Sequence, residues 1–264
     1  MTISSTNSVV FLMGPTASGK TELALEMYNQ LDASLISVDS ALIYRGMDIG
    51  TAKPSKVTLE NYPHALIDIC EPDESFSVNQ FVSLAKQHIE SALNAGKLPI
   101  LVGGTSFYFN ALEHGLSKLP ESTKDSRKYF NDRLKNQGSE KLHSQLLKID
   151  PTSATRIHPN DSQRVTRALE VFHLSGVTLS ELQGNKNENK LNHEVKKIIL
   201  MPDRSELHQR IEQRFIEMIK DGFLDEVEAL RKNKNLNLDL ASMRCVGYRQ
   251  AWNYFDGLYS KQEM

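Results

Sequence analysis

Gly14-Pro15-Thr16-Ala17-Ser18-Gly19-Lys20-Thr21 is the stretch that decides the fold class. It fits G-x-x-x-x-G-K-[ST], follows a short apolar run at 9–13, and opens a helical pattern in which Leu23, Ala24, Met27 and Leu31 share a face. A strand, a glycine-rich turn and a helix in that order make a phosphate cradle. The glycines let the backbone wrap an anion, the N–H groups of the turn and helix start point at it, and Lys20 adds a mobile positive charge. The Thr21 hydroxyl stands where it can hold Mg2+.

Outward from the octet, strands alternate with helices. Residues 35–38 read as a second strand ending at Asp39, 66–69 as a weaker third, and 99–102 as a fourth cut off by Gly103-Gly104. A long helix is expected over 77–95, stopped by Gly96. This alternation predicts an α/β fold: a P-loop NTPase-like parallel sheet flanked by helices, with right-handed crossovers. The texture changes between 116 and 194, where no strand is convincing. Helices are expected over 127–134, 140–149 and 162–173, then a polar Asn/Lys-rich loop over 184–193. Sheet character returns at 195–201, and 206–219 and 224–231 are helical. The expected organisation is an α/β core from 1–115 and 195–264, interrupted by a helical domain over 116–194.

Composition narrows the function classes. The chain has 264 residues, with 39% hydrophobic and 24% charged, a globular balance. Its two cysteines, Cys70 and Cys245, exclude a disulfide scaffold and a four-cysteine zinc site. No apolar run approaches the roughly 18 residues of a membrane helix, and the first eight residues are polar without positive charge, so no secretory signal is read and the cytosol is expected. Net charge is −2, yet 117–170 holds eleven Lys/Arg against seven Asp/Glu. That basic middle suits a nucleic-acid partner or a solvated helical face.

An ordinary P-loop ATPase places a carboxylate at the end of a later apolar strand. The 99–102 strand ends instead in Gly103-Gly104-Thr105, which points to a diphosphate held for a reaction other than nucleotide hydrolysis. Asp39 closes a strand at the carboxyl edge of the sheet, where ligands of open α/β sheets bind. It is a candidate general base, with a helix N-cap or an outer partner of Mg2+ as the alternatives. Thr105, on the same edge, either donates to a phosphate or caps the next helix. Arg210 and Arg214 share a helical face, with surface ion pairs to Glu206 and Glu217 as the plainer reading. Arg244-Cys245-Val246-Gly247-Tyr248-Arg249 mixes two cations, an aromatic and a glycine, which suits a nucleic-acid strand. Gln163-Arg164-Val165-Thr166-Arg167 carries two arginines three apart on an expected helix.

These strings, with Met47-Asp48-Ile49-Gly50-Thr51-Ala52-Lys53-Pro54 above all, resemble the tRNA dimethylallyltransferase family. The matching stretches run in the family's order from near the start to near the end. The resemblance implies transfer of a dimethylallyl group from dimethylallyl diphosphate to the exocyclic amine of the tRNA adenosine immediately 3′ of the anticodon, with Mg2+ as cofactor. It implies that 14–21 hold the leaving diphosphate, Thr21 the metal, Asp39 the amine proton, Arg214 the diphosphate side, and Thr105 both substrates. It implies tRNA contacts at Asp39, Ser40, Ala41, Leu42, Thr105, Arg127, Gln163, Arg164, Val165, Thr166, Arg167, Arg244, Cys245, Val246, Gly247, Tyr248 and Arg249. The adenosine must leave its stack to reach a buried allylic carbon. The chain is expected to act as a monomer without a membrane. Ser260 and Glu263 match a capping box, from which a further helical segment beyond 264 is expected. A small-molecule kinase, an adenylate prenyltransferase and a tRNA-binding module with a vestigial P-loop are the rival readings. The missing strand-end acid, the basic insertion, and intact Lys20, Thr21 and Asp39 count against them in turn.

Overall fold

A computed structural model describes residues 7–184 and 190–264. Residues 185–189 of the expected loop at 184–193, and 1–6 of the N-terminal segment at 1–8, lie outside the described residues. The chain forms two compact units, one from 1–114 and 191–264, the other the contiguous stretch 115–190.

In the first unit, β1 (Ser8–Met13) runs into the glycine-rich turn and α1 (Lys20–Gln30). β2 (Ala33–Val38), α2 (Lys56–Asn61) and the two-residue β3 (His64–Ala65) follow, then α3 (Val78–Asn94), β4 (Leu98–Gly103) and α4 (Ser106–His114). The second unit holds α5 (Lys124–Gln137), α6 (Ser139–Ile149), α7 (Pro151–Arg156), α8 (Ser162–Ser175) and α9 (Leu179–Gly184). The chain then re-enters the first unit with β5 (Glu194–Ile199), α10 (Arg204–Lys220), α11 (Phe223–Arg231) and α12 (Tyr248–Phe255).

The sheet is parallel throughout, in the order β3-β2-β4-β1-β5. Its central strands are covered on both faces, which is why they read as continuous apolar runs. Val10, Leu12, Leu35, Ile100 and Val102 pack under α1, all buried. Strand pairing demands Gly103: a Cβ there would meet the Val38 carbonyl oxygen at 2.0 Å. α3 starts at a full capping box, with Gln80 N–H donating to Ser77 Oγ and Ser77 N–H to Gln80 Oε1.

The expected third strand is displaced. Pairing with β2 is confined to His64 and Ala65, and Leu66 and Asp68 adopt left-handed backbone with φ of 67° and 54°. Beyond Ala65 the backbone bonds to the loop after β2 instead: Asp68 N–H donates to the Leu42 carbonyl, Ile69 and Cys70 N–H donate to that of Ile43, and Tyr44 bridges to Cys70. Lys53, its side chain 3% exposed, ties the same loop together by donating to Asp68 Oδ1, Asp48 Oδ1 and the Tyr44 carbonyl. A second tie fastens the same region. The Glu226 carboxylate on α11 accepts the N–H groups of Asp48, Ile49 and Gly50 together with the Tyr248 hydroxyl. Gly50 admits no side chain, since a Cβ would lie 2.2 Å from Phe223.

The second unit has its own core, from Phe130, Leu142, Leu146, Val165, Leu169 and Val171. Two buried carboxylates brace it. Asp150 accepts the N–H groups of Ser153 and Ser180. Glu170 accepts from the hydroxyls of Ser122 and Ser126 and from Arg167.

Candidate active site

The carboxyl edge of the sheet opens into a cavity of about 1490 Å3, lined entirely by the first unit. Its floor is the turn from β1 into α1. Ala17 and Gly19 take left-handed backbone, with φ of 61° and 89°, which curls the N–H groups inward around an anion-sized hollow. Gly14 packs so closely on the Leu200 carbonyl that a Cβ would lie 2.6 Å from it. Thr16, Ala17, Ser18, Gly19, Lys20 and Thr21 all line the cavity, while Gly14 and Pro15 line a smaller neighbouring hollow. Lys20 Nζ donates to the Pro15 carbonyl and to Ser18 Oγ.

Two cations meet two acids here. Burial lowers the Lys20 pKa; Asp39 and Glu22 oppose the shift and Arg214 adds to it. Burial lowers the Arg214 pKa as well, against Glu22 and Asp39. An anion entering the cradle relieves both cations, because it supplies the counter-charge that water no longer does. Arg210, one turn earlier on α10, pairs with Glu206 at 2.6 Å and also reaches the Ala17 carbonyl at 3.4 Å, so it is both the surface pair and a cradle contact.

Asp39 follows β2. Its Oδ1 accepts the N–H groups of Ala41 and Leu42 at 2.8 and 3.3 Å, an Asx-type turn that fixes the carboxylate while its other oxygen makes no hydrogen bond with the described residues. Thr105 immediately precedes α4, yet its hydroxyl accepts from Ser40 N–H at 3.2 Å, tying the ends of β2 and β4 together. Asp39, Ser40, Ala41, Leu42 and Thr105 thus form one connected rim. Tyr108 stacks on Phe81 with ring centroids 4.3 Å apart, and burial beside Asp39 pushes its hydroxyl pKa up to about 12.

Part of the cavity wall is apolar: Ile67, Phe76, Phe215, Met218 and Phe223 line it. None of these was singled out by motif, because no local pattern distinguishes a cavity wall from a core. The same holds for Ser37 on β2, a cavity-lining residue 2% exposed whose hydroxyl has no partner among the described residues. An unmet buried hydroxyl costs about 1–3 kcal/mol.

The remaining expected contacts fall into two groups. Arg244, Cys245, Val246 and Gly247 line the cavity, Val246 being 86% exposed. Burial pushes the Cys245 thiol up to about 11, so it stays protonated. Arg249 is exposed, but Tyr248 is fully buried against Phe223, and its side chain does not face a ligand strand. In the second unit, Arg127, Gln163 and Arg164 are exposed and Thr166 is half-buried, whereas Val165 is sealed in the core. Arg167 points inward, donating to Ser122 Oγ, Glu170 Oε2 and the Pro120 carbonyl, each at 2.7 Å. Val165, Arg167 and Tyr248 therefore depart from a plain surface-contact reading: their side chains are committed to packing or internal hydrogen bonds.

Comparison with known proteins accords with this geometry. The IPP transferase family model matches residues 42–264. A tRNA dimethylallyltransferase from Ruthia magnifica is 61% identical over the whole chain, which spans 86% of that relative. One from Alkalilimnicola ehrlichii is 49% identical over 98% of this chain and 82% of its own length. Among solved structures, a full-length tRNA isopentenylpyrophosphate transferase from Bacillus halodurans superposes with TM-score 0.68 and 36% identity, over 97% of this chain and 80% of its own. A eukaryotic dimethylallyltransferase acting on tRNA gives TM-score 0.76 at 25% identity, over 95% of this chain and 64% of its own. With its sheet order, its phosphate cradle and full-length identity of this size, the chain belongs to the tRNA dimethylallyltransferase family.

Proposed function

We propose that this chain transfers the dimethylallyl group of dimethylallyl diphosphate to the exocyclic amine of the tRNA adenosine immediately 3′ of the anticodon. The observation that carries the reading is the make-up of one cavity: a cationic cradle, a fixed carboxylate and an apolar wall face the same space. An apolar wall beside the cradle gives a prenyl group somewhere to lie while its diphosphate is held.

The diphosphate sits in the cradle of 14–21 with Lys20 and Arg214, and the five-carbon chain lies along Phe76, Phe215 and Met218. As the allylic carbon–oxygen bond breaks, negative charge grows on the leaving diphosphate, and these cations stabilise it. The adenosine amine forms the new carbon–nitrogen bond, and the proton it sheds passes to the Asp39 oxygen that the Asx turn leaves uncommitted. The Thr105 hydroxyl, held by Ser40 N–H, keeps its own proton for a substrate oxygen at the junction of the two substrates. The donor chemistry suits Mg2+: Thr21 offers a hard oxygen next to the cradle, and this ion needs only one or two protein oxygens besides phosphate and water. Bound there, it would neutralise diphosphate charge. Ser40, Ala41, Leu42, Arg244, Cys245, Val246 and Arg249 border the flipped nucleotide, and Arg127, Gln163 and Arg164 hold tRNA phosphates. No helix of the described residues is long and apolar enough to cross a membrane, and the reading places the enzyme in the cytosol with its tRNA.

The test combines the chain, dimethylallyl diphosphate, Mg2+ and an anticodon stem-loop, with the product read by mass. One dimethylallyl group on the adenosine 3′ of the anticodon is expected. ATP hydrolysis without any transfer would overturn the reading in favour of a kinase or ATPase.

A further inference from the structure

Ser37 sits one residue before the end of β2, and Asp39 follows that end. In the parallel pairing of β2 with β4 it stands beside Val102, on the face of the sheet that α1 covers. Both Ser37 and Val102 line the cavity. α1 runs antiparallel to the strands, so its first turn, with Lys20 and Thr21, lies over this end of the sheet. The hydroxyl is therefore at the base of the cavity, below the start of α1 and beside the rim that carries Asp39.

Two facts about it pull in opposite directions unless a ligand resolves them. Ser37 is 2% exposed, and Oγ has no hydrogen-bond partner among the described residues. Its neighbours on that face of β2, Ala33 and Leu35, are apolar and belong to the core under α1. A serine at this place gains nothing from burial in an apolar layer, whereas alanine would fill it without leaving a polar group unmet. A buried hydroxyl without a partner calls for an explanation; of the two such hydroxyls among the described residues, Ser37 and Ser153, it is Ser37 that lines this cavity.

Resting on the diphosphate reading of this cavity, we propose that Ser37 is a positioning residue for the diphosphate end of the substrate: its hydroxyl donates to a diphosphate oxygen, or to a water that oxygen holds. Lys20 supplies charge without fixed direction, and a short hydroxyl on a rigid strand adds direction to what Arg214 provides. It orients the leaving group toward the side of the cavity where Asp39 receives the amine.

The experiment titrates inorganic pyrophosphate with Mg2+ into the wild-type chain and into Ser37→Ala, by calorimetry, and records the thermal midpoint of each without ligand. A lost hydrogen bond to a charged oxygen weakens binding roughly tenfold. The expected result is that loss together with an unchanged or higher midpoint, because the alanine removes an unmet polar group. Ser37→Thr, which keeps the hydroxyl, restores most of the affinity; Ser37→Gly, which also lacks the hydroxyl, takes the place of the alanine variant if that one does not fold. Equal pyrophosphate affinity in Ser37→Ala overturns the proposal and leaves Ser37 a small core residue, or one holding only a resident water. Wild-type chain that binds no pyrophosphate at all defeats the diphosphate reading itself, which separates the two failures.

Discussion

Asp39 and Lys53 show how differently two charged side chains of one loop region are used. Asp39 gives one oxygen to the turn and turns the other to the cavity, so its removal costs chemistry more than fold. Asp39→Ala is expected to abolish prenyl transfer while the thermal midpoint stays within a few degrees of wild type; near-normal turnover would remove it as the base. Lys53 does the reverse. Its ammonium is sealed among Asp48, Asp68 and a carbonyl, and Lys53→Met should cost about 3 kcal/mol in denaturant unfolding, the low end for a broken buried pair, because both carboxylates remain half-exposed. The two arginines of α8 divide in the same way. Arg164, 74% exposed and 3.4 Å from Asp161, should when changed to alanine weaken tRNA binding and lower its salt slope by about one. Arg167→Ala should instead destabilise the helical unit, since it removes the charged donor to Glu170, leaving that carboxylate only the Ser122 and Ser126 hydroxyls, and the donor to Ser122 Oγ. The sequence carried the identity of Asp39 and Lys20 plainly, because motif and strand end coincide there. It did not separate Arg164 from Arg167: which way an arginine faces depends on Ser122 and Pro120, more than forty residues away.

The strands that bury both faces, and helices α1, α3, α6 and α8, were readable to within a residue or two, whereas α5 extends three residues beyond each expected end and the short capped helices α2 and α7 were not read. β1, β2 and β4 are continuous apolar runs, and α3 announces itself through Ser77 and Gln80. α8 begins where Asp161 accepts Arg164 N–H at 3.1 Å, and Asp161→Ala should cost about 1 kcal/mol of stability, seen as faster hydrogen exchange in the first turn of that helix. The other misread elements share one cause, a long-range partner. The 66–69 run has strand composition, but its backbone bonds to Leu42 and Ile43, in the loop after β2, rather than to β2 itself. In α12, Tyr248, Ala251, Trp252 and Phe255 repeat at helical spacing and pack into the core, yet alongside Arg244 and Arg249 the same aromatics equally suit a nucleic-acid strip. Only Glu226, on a helix some 175 residues after Gly50, decides that Tyr248 is structural.

At the scale of the molecule, the two units answer acid differently. Burial pushes Asp150 and Glu170 up, but the hydrogen bonds from Ser153 and Ser180, and from Ser122, Ser126 and Arg167, outweigh it and hold both carboxyls below their ordinary range. A folded pKa below the unfolded one means stabilisation that is complete above about pH 4 and fades as pH falls through the folded value. Protection of the α5 and α8 amides, taken relative to their intrinsic exchange rates, should therefore fall below that pH, and Glu170→Gln should flatten the dependence. Division into a P-loop core and a helical segment was legible from where strands stop and resume; the internal bracing of the helical unit was not, since serines and acids scattered over 122–180 carry no local signal. That division also has a temporal side. The helical unit is contiguous, whereas β1 pairs with β5, Ser8 against Glu194. On the ribosome, the unit with mostly local contacts is synthesised whole while the host sheet still waits for its edge strand. Nascent chains thus carry a finished helical body and an open β1 edge for the time it takes to translate β5, which makes that interval the one in which a chaperone has most to shield.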